Sequence, residues 1–242
     1  MTHPIQAVKP MLRALLNVLF PVFCPICGRS IPDSEFLCTH CITTLPPIPK
    51  NYCLTCGTST QGTVSECGTC LYEIGLPERV YFAFLYLEPL SKLIVRYKFH
   101  DRSEWAEPLA DLLMERIGDL MHREDLEMVV PVPLHPLRLL WRGYNQAALL
   151  AGMLAKKLHR PFVTNALHRS KMTRPQTKLN QKARLINVQD AFVAKKATFA
   201  DRTILLVDDV FTTGSTVWAA TRALKDAGAR RVVVCCLARV DY

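Results

Sequence analysis

The segment ILLVDDVFTTGST, residues 204–216, constrains the fold more tightly than any other part of the sequence. Residues 204–207 form a continuous apolar run, the pattern of a parallel strand covered on both faces. Plain core packing would not end such a strand on two acids, yet Asp208 and Asp209 fall at its carboxyl end. Trp218, Ala219, Ala220, Ala223 and Leu224 continue as a helical stripe as far as Gly228, so Thr212, Thr213, Gly214, Ser215 and Thr216 form the turn that enters the helix. Such a turn is an anion site, because unpaired amides of the first helical turn and the positive end of the helix dipole point at whatever occupies it. An Asx turn or a hydroxyl N-cap accounts for any one of these residues, but not for all nine of 208–216 together. Two other phosphate-binding patterns fail, since the chain has no Gly-Lys pair for a Walker loop and no glycine-rich dinucleotide fingerprint before a helix.

Eight of the ten cysteines come in four pairs of CxxC spacing: Cys24 with Cys27, Cys38 with Cys41, Cys53 with Cys56, and Cys67 with Cys70. Ten residues separate the first two pairs and ten the last two, an internal duplication. Gly28 and Gly57 each follow the second cysteine of a pair, where a tight knuckle benefits from a residue that tolerates positive φ. Four thiolates hold one tetrahedral zinc, so eight satisfy two structural zinc sites, and metal stands in for the apolar core that so small a ribbon lacks. The repeated CxxCG points to consecutive ribbons, one ion on Cys24, Cys27, Cys38 and Cys41 and the other on Cys53, Cys56, Cys67 and Cys70, with a crossed arrangement left open. A chain of 242 residues is larger than the disulfide scaffolds of small secreted domains, and paired thiols as metal ligands indicate the reducing cytoplasm. Residues 11–23, MLRALLNVLFPVF, lack a small-residue cleavage site and are too short to span a bilayer. They read as an amphipathic helix packed on the body, and no transmembrane segment is expected.

The formal charge of +9 becomes about +5 once eight thiolates hold two divalent ions, and its distribution matters more than its sum. Residues 160–202 contain ten Lys or Arg against two acids, Asp190 and Asp201, which suits a polyanionic partner. Within this stretch, residues 169–188 are polar and basic and read as a mobile flap, with Lys171, Arg174, Lys178 and Lys182 as candidate nucleic-acid contacts. After Val132, the sequence PLHPLRLLWRGYNQA sets Arg138, Arg142, Gly143 and Asn145 ahead of a helix start, a candidate loop for a pyrophosphate or other substrate group.

Pro46, Pro47 and Pro49 separate the ribbons, and a composition shift near Leu76 divides the chain into units 1–75 and 76–242. The second unit reads as strands at 80–87, 128–132, 162–167, 191–194, 204–207 and 232–237, alternating with helices at 105–121, 146–158 and after residue 216. Alternation of this kind specifies an α/β fold with a doubly wound, mainly parallel sheet, whose ligands gather at the carboxyl ends of the strands. Cys235 and Cys236, inside RRVVVCCLARV, read as buried strand residues.

Residues 208–216 resemble the phosphoribosyl pyrophosphate (PRPP) motif of type I phosphoribosyltransferases. With the CPICG knuckle, the RGYNQA stretch and TRPQTKLNQKARLINVQDAF in the same order, the chain resembles the competence protein F (ComF) family over nearly its whole length. That resemblance implies a double zinc ribbon fused to a phosphoribosyltransferase-like domain, a cytoplasmic location, and the handling of single-stranded DNA in natural transformation or DNA utilisation. It also implies catalytic acids Asp208 and Asp209 on the ribose hydroxyls, residues 212–216 on the 5′-phosphate, and Mg²⁺ between ribose oxygens and pyrophosphate. Chemistry would be displacement at the anomeric carbon through a cation-like transition state. No general base and no acceptor pocket stand out, so the alternative is a nucleic-acid-binding or PRPP-sensing module without transferase activity. Against it, stacking aromatics near the basic stretch are few: Trp141, Tyr144, Phe162, Phe192 and Phe199. Other DNA-uptake proteins docking on the ribbons form a third reading.

Overall fold

The first CxxC knuckle of each ribbon closes on a glycine in the left-handed region, Gly28 at φ +72° and Gly57 at φ +73°, as the sequence requires. The computed structural model describes residues 21–49, 51–60, 66–73, 75–100, 102–171 and 191–240. In the first ribbon β1 (Val22–Phe23) pairs antiparallel with β2 (Ser30–Ile31) across the knuckle, and α1 (Thr39–Thr43) carries Cys41. In the second, Tyr52 bridges Ser59 and α2 (Gly68–Leu71) carries Cys70. Of the helix expected at 11–23, residues 11–20 lie outside the described residues. Val22 and Phe23 are instead exposed strand residues, because they pair with residues 30–31 to close the knuckle.

The rest of the chain alternates strands and helices. In order come β3 (Arg79–Leu85), α3 (Leu90–Phe99), α4 (Ala106–His122), β4 (Met128–Pro131), α5 (Pro136–Arg142) and α6 (Gln146–Lys157). After these follow β5 (Leu167–Arg169), β6 (Phe192–Ala194), α7 (Lys196–Phe199), β7 (Thr203–Phe211), α8 (Ser215–Asp226) and β8 (Arg231–Arg239). Four strands make one all-parallel sheet in the order β3-β8-β7-β4. Period-two alternation sends Leu205, Val207, Val233 and Cys235 to one face, where they pack with Leu93, Leu113 and Leu150 of α3, α4 and α6. Ile204, Leu206, Val234 and Cys236 face the other side, against Val217, Ala220 and Leu224 of α8. Both faces are thus covered by helices, the doubly wound α/β arrangement. The first ribbon adds Cys24, Ile31, Leu37, Cys41 and Leu45 to the first of these cores.

Three features depart from the sequence reading. Helix α3 arises from Leu90, Leu93, Ile94 and Tyr97, a buried stripe at helical spacing. Helix α5 buries none of its residues, which is why no apolar pattern announces it. The strand expected at 162–167 reduces to one parallel bridge between Phe162 and Val129. A bend at residues 165–166 breaks it, since Asn165 is a poor strand former, and the chain resumes as β5, which pairs antiparallel with β6.

The strand order positions the site. From β4 the chain passes through α6 to the Phe162 bridge on that strand's outer side, whereas from β7 it passes through α8 to β8 on the other side. The connections diverge between β4 and β7, and a crevice opens at the carboxyl ends of such a pair. Strand β4 stops at Pro131, opposite Val207, while β7 runs on to Phe211 paired with β8 alone.

Candidate functional site

The crevice is a cleft of about 200 Å³ walled by the ends of β4 and β7, the entry to α8, and side chains from α3, α5, α6 and β5. On its floor Asp208 and Asp209 stand in the part of β7 that β4 leaves uncovered. Asp208 Oδ1 accepts from the Asp209 amide at 2.9 Å, and Asp209 Oδ1 accepts from the Val210 amide at 2.7 Å. Asp209 Oδ2 lies 3.1 Å from the Lys98 ammonium of α3, with the Asp209 side chain 4% exposed and that of Lys98 20% exposed. Burial, together with the charge of Asp209, pushes the Asp208 carboxyl up to about 8, against the opposing pull of Lys98.

Gly214, at φ +79°, caps α8 and turns the loop toward the cleft. Thr212, Gly214 and Thr216 line the cleft, while the hydroxyls of Thr213 and Ser215 meet each other at 2.8 Å and Ser215 is buried. Across the cleft stand Arg138 and Arg142, one turn apart on α5, and Arg169 at the end of β5. Arg142 donates to Gln146 Oε1 at 2.7 Å and lies 4.7 Å from the ring centre of Phe99. Burial lowers Arg169 to about 10, Arg138 adds to that effect, and Asp208 opposes it. Gly143, at φ +84°, ends α5 and carries the chain to Asn145, which lines the cleft. The Asn145 amide group donates to Val132 O at 3.0 Å, and its Oδ1 caps α6 by accepting from the Ala147 amide at 3.0 Å.

Of the residues singled out in the sequence, the cleft gathers Asp208, Asp209, Thr212, Gly214, Thr216, Arg138, Arg142 and Asn145, while Thr213, Ser215 and Gly143 are not among its lining. Lys171 is exposed beyond β5 and outside the cleft walls. Arg174, Lys178 and Lys182 lie outside the described residues. Lys98, Gln146 and Arg169 escape sequence reasoning. For Arg169 a signal exists: it occupies the same face of β5 as Leu167, an arginine where alternation calls for an apolar residue.

The eight paired cysteines form two groups, Cys24, Cys27, Cys38 and Cys41, and Cys53, Cys56, Cys67 and Cys70, each with all sulfurs within 4.8 Å of one another. The consecutive pairing is the one adopted. Cys27 and Cys38 sulfurs are 3.7 Å apart and those of Cys56 and Cys67 3.6 Å. Zinc–sulfur bonds of about 2.3 Å in a tetrahedron separate sulfurs by about 3.8 Å, so both groups fit one zinc each. Burial opposes ionisation of Cys24 and Cys53, but amides of their own knuckles and of Cys38 or Cys67 outweigh it, bringing Cys24 down to about 6 and Cys53 to about 7. Among the described residues, no helix is long and apolar enough to cross a membrane.

The double zinc ribbon domain family matches residues 15–71, and the phosphoribosyl transferase domain family matches residues 145–241. Competence protein F of Haemophilus influenzae is 36% identical over 208 residues, which cover 84% of this chain and 90% of that protein. DNA utilization protein YhgH of Escherichia coli is 32% identical over 223 residues, covering 90% of this chain and 97% of that protein. Competence protein ComFC of Streptococcus pneumoniae is 26% identical over 231 residues, covering 89% and 99%. Two four-thiol ribbons joined to a parallel sheet with an acid-and-hydroxyl loop at its switch point match what these similarities require, and the chain belongs to the competence protein F family.

Proposed function

We propose that the cleft binds PRPP or a related phosphoribosyl ligand together with Mg²⁺. The observation that carries this reading is the conjunction of an acid pair on an open strand end, the α8 entry beside it, and Arg138, Arg142 and Arg169 across the cleft. Asp208 and Asp209 accept the ribose hydroxyls, and residues 212–216 hold the 5′-phosphate at the entry to α8. Arg142, with the turn at Gly143 and Asn145, meets the pyrophosphate, joined by Arg138 and Arg169. Mg²⁺ would be held with the ligand beside Asp208 and Asp209 and would supply positive charge that stabilises the departing pyrophosphate. If transfer occurs, the acid pair stabilises the cation-like transition state. The chain divides into an N-terminal unit, 1–75, with two structural zinc ions and a phosphoribosyltransferase-like unit, 76–242, working in the cytoplasm. The names of the similar proteins support a part in competence and DNA utilisation, and the basic sequence of residues 160–202 suits incoming single-stranded DNA as the polymer handled. Calorimetry with PRPP and Mg²⁺, then an assay of pyrophosphate release with candidate bases, tests the reading. No heat of binding at millimolar PRPP would sink it.

A second reading, a nucleic-acid-binding or PRPP-sensing module without transfer, has its own support. Among the described residues the cleft walls carry no histidine or glutamate to serve as a general base. On α5, Trp141 is 78% exposed on the helix that carries Arg138 and Arg142, an arrangement suited to stacking a base beside a phosphate. PRPP binding without pyrophosphate release for any base would favour this reading.

A further inference from the structure

The two cysteine clusters have different neighbours. The first packs with α3 and with the residue that caps α4: Arg96 donates to Pro25 O at 2.8 Å, and Phe36 meets the Trp105 ring edge-on with centroids 5.5 Å apart. The second reaches the phosphate-loop side of the cleft by two routes. Cys53, Cys56, Cys67 and Cys70 pack with Leu76 and with Trp218 of α8. The Trp218 ring also lies against Gly214, where an added Cβ would come within 2.7 Å of Trp218 Cε2 and 2.7 Å of Phe211 Cζ. In the other direction, Phe211 meets Phe82 edge-on at 5.1 Å, and Phe82 Cε2 would lie 2.4 Å from a Cβ added to the knuckle glycine, Gly57. The same knuckle is built onto the sheet, since Leu54 O accepts from the Val80 amide at 2.7 Å. Further along α8, Lys225 donates to Leu76 O at 2.6 Å and pairs with Glu78 at 2.8 Å.

The loop's one left-handed residue is therefore held between two rings, and both rings rest on the second ribbon. A ribbon with so small an apolar core keeps its knuckle only while metal holds the sulfurs. We propose that the second cysteine cluster, acting through Trp218 and Phe211, positions the phosphate loop, so that affinity for a phosphorylated ligand depends on metal in the second ribbon and not on metal in the first. This role, which rests on the phosphoribosyl-ligand reading of the cleft, makes Trp218 a positioning residue rather than a contact to the ligand.

The test compares full-length Cys67→Ser/Cys70→Ser with full-length Cys27→Ser/Cys38→Ser. Hydrogen exchange is read at amides 218–221, the first hydrogen-bonded amides of α8, and PRPP–Mg²⁺ affinity is read by calorimetry. The second-ribbon variant should exchange about tenfold faster or more at these amides, with α6 unchanged, and should bind PRPP about tenfold more weakly. The first-ribbon variant should stay within about twofold of the parent on both readouts. Equal effects in both variants, or none in either, overturn the proposal. Should the second-ribbon variant lose its secondary structure, Trp218→Ala in the zinc-loaded protein decides. Faster exchange at 219–221 with unchanged zinc content, restored by Trp218→Phe, supports positioning, and unchanged exchange overturns it. If the parent binds no PRPP, the cleft reading fails, while the exchange contrast still tests the positioning.

Discussion

Asp208 and Asp209 are neighbours on one strand, yet their surroundings give them different chemistry. Asp208 is held at about 8 against an ordinary 3.8, first by burial and then by the charge of Asp209. A carboxyl raised in this way contributes stability that is fully present below the unfolded value and is lost as pH rises through the folded one. Asp208→Asn keeps the oxygen that accepts from the Asp209 amide and removes the ionisation. Its melting temperature should therefore exceed that of the parent at pH 8.5 and converge with it toward pH 4. A gap independent of pH would contradict the assignment. Ribose hydroxyls donate to carboxylates, so PRPP affinity should rise by up to about tenfold per pH unit below pH 8, with uptake of ligand releasing a proton. Asp209 is different, being 3% exposed and paired with Lys98. Asp209→Ala strands a mostly buried ammonium and should cost about 1–3 kcal/mol in chemical denaturation, partly recovered by adding Lys98→Met.

At the scale of elements, the entry to α8 and the start of α6 decide how the cleft is shaped. Gly214→Ala forces a Cβ into the left-handed region and within 2.7 Å of two rings, so the loop must move. The change should cost about 1–3 kcal/mol and raise the Kd for PRPP tenfold or more, measured by denaturation and calorimetry. Asn145→Ala removes the cap of α6 and a bond to Val132 O, and should cost about 0.5–2 kcal/mol with a smaller effect on affinity. What was legible in the sequence follows local pattern. The 204–216 segment, the CxxC knuckles and the strands of the parallel sheet carry their structure in residue spacing, although β7 continues past residue 207, through both acids, to Phe211. Lys98 was not legible, because nothing about a lysine after the Tyr97 stripe tells that it meets Asp209, far downstream in the chain. Helix α5 was not legible either, as its start depends on Pro136 and its end on Gly143 rather than on any apolar period. The 162–167 reading failed because it ran through Asn165, a poor strand former, where a bend sends the two halves to different partners.

For the whole molecule, two four-thiol groups predict two zinc ions per chain, checked by metal analysis of the purified protein. A folded protein carrying none would overturn the ribbon assignment. If residues 160–202 track a polynucleotide backbone, binding to single strands should weaken steeply with salt, each neutralised phosphate adding about 0.7 to the log–log slope. Replacing Lys171, Arg174, Lys178 and Lys182 with alanine should flatten that slope, and unchanged salt dependence would move the path to the ribbons or to α5. The order β3-β8-β7-β4 has a further consequence, for synthesis rather than for the finished site. Strand β3 pairs within the sheet only with β8, which the ribosome makes about 150 residues later. At about 5–20 residues per second, the nascent chain carries Val80, Phe82 and Phe84 without their strand partner for roughly eight to thirty seconds. Until β8 emerges, both β3 and β7 offer sticky edges to chaperones or to other nascent chains. A chain cut before Arg231 should therefore collect in the insoluble fraction on expression, its ribbons intact and its sheet missing the strand that joins the two halves.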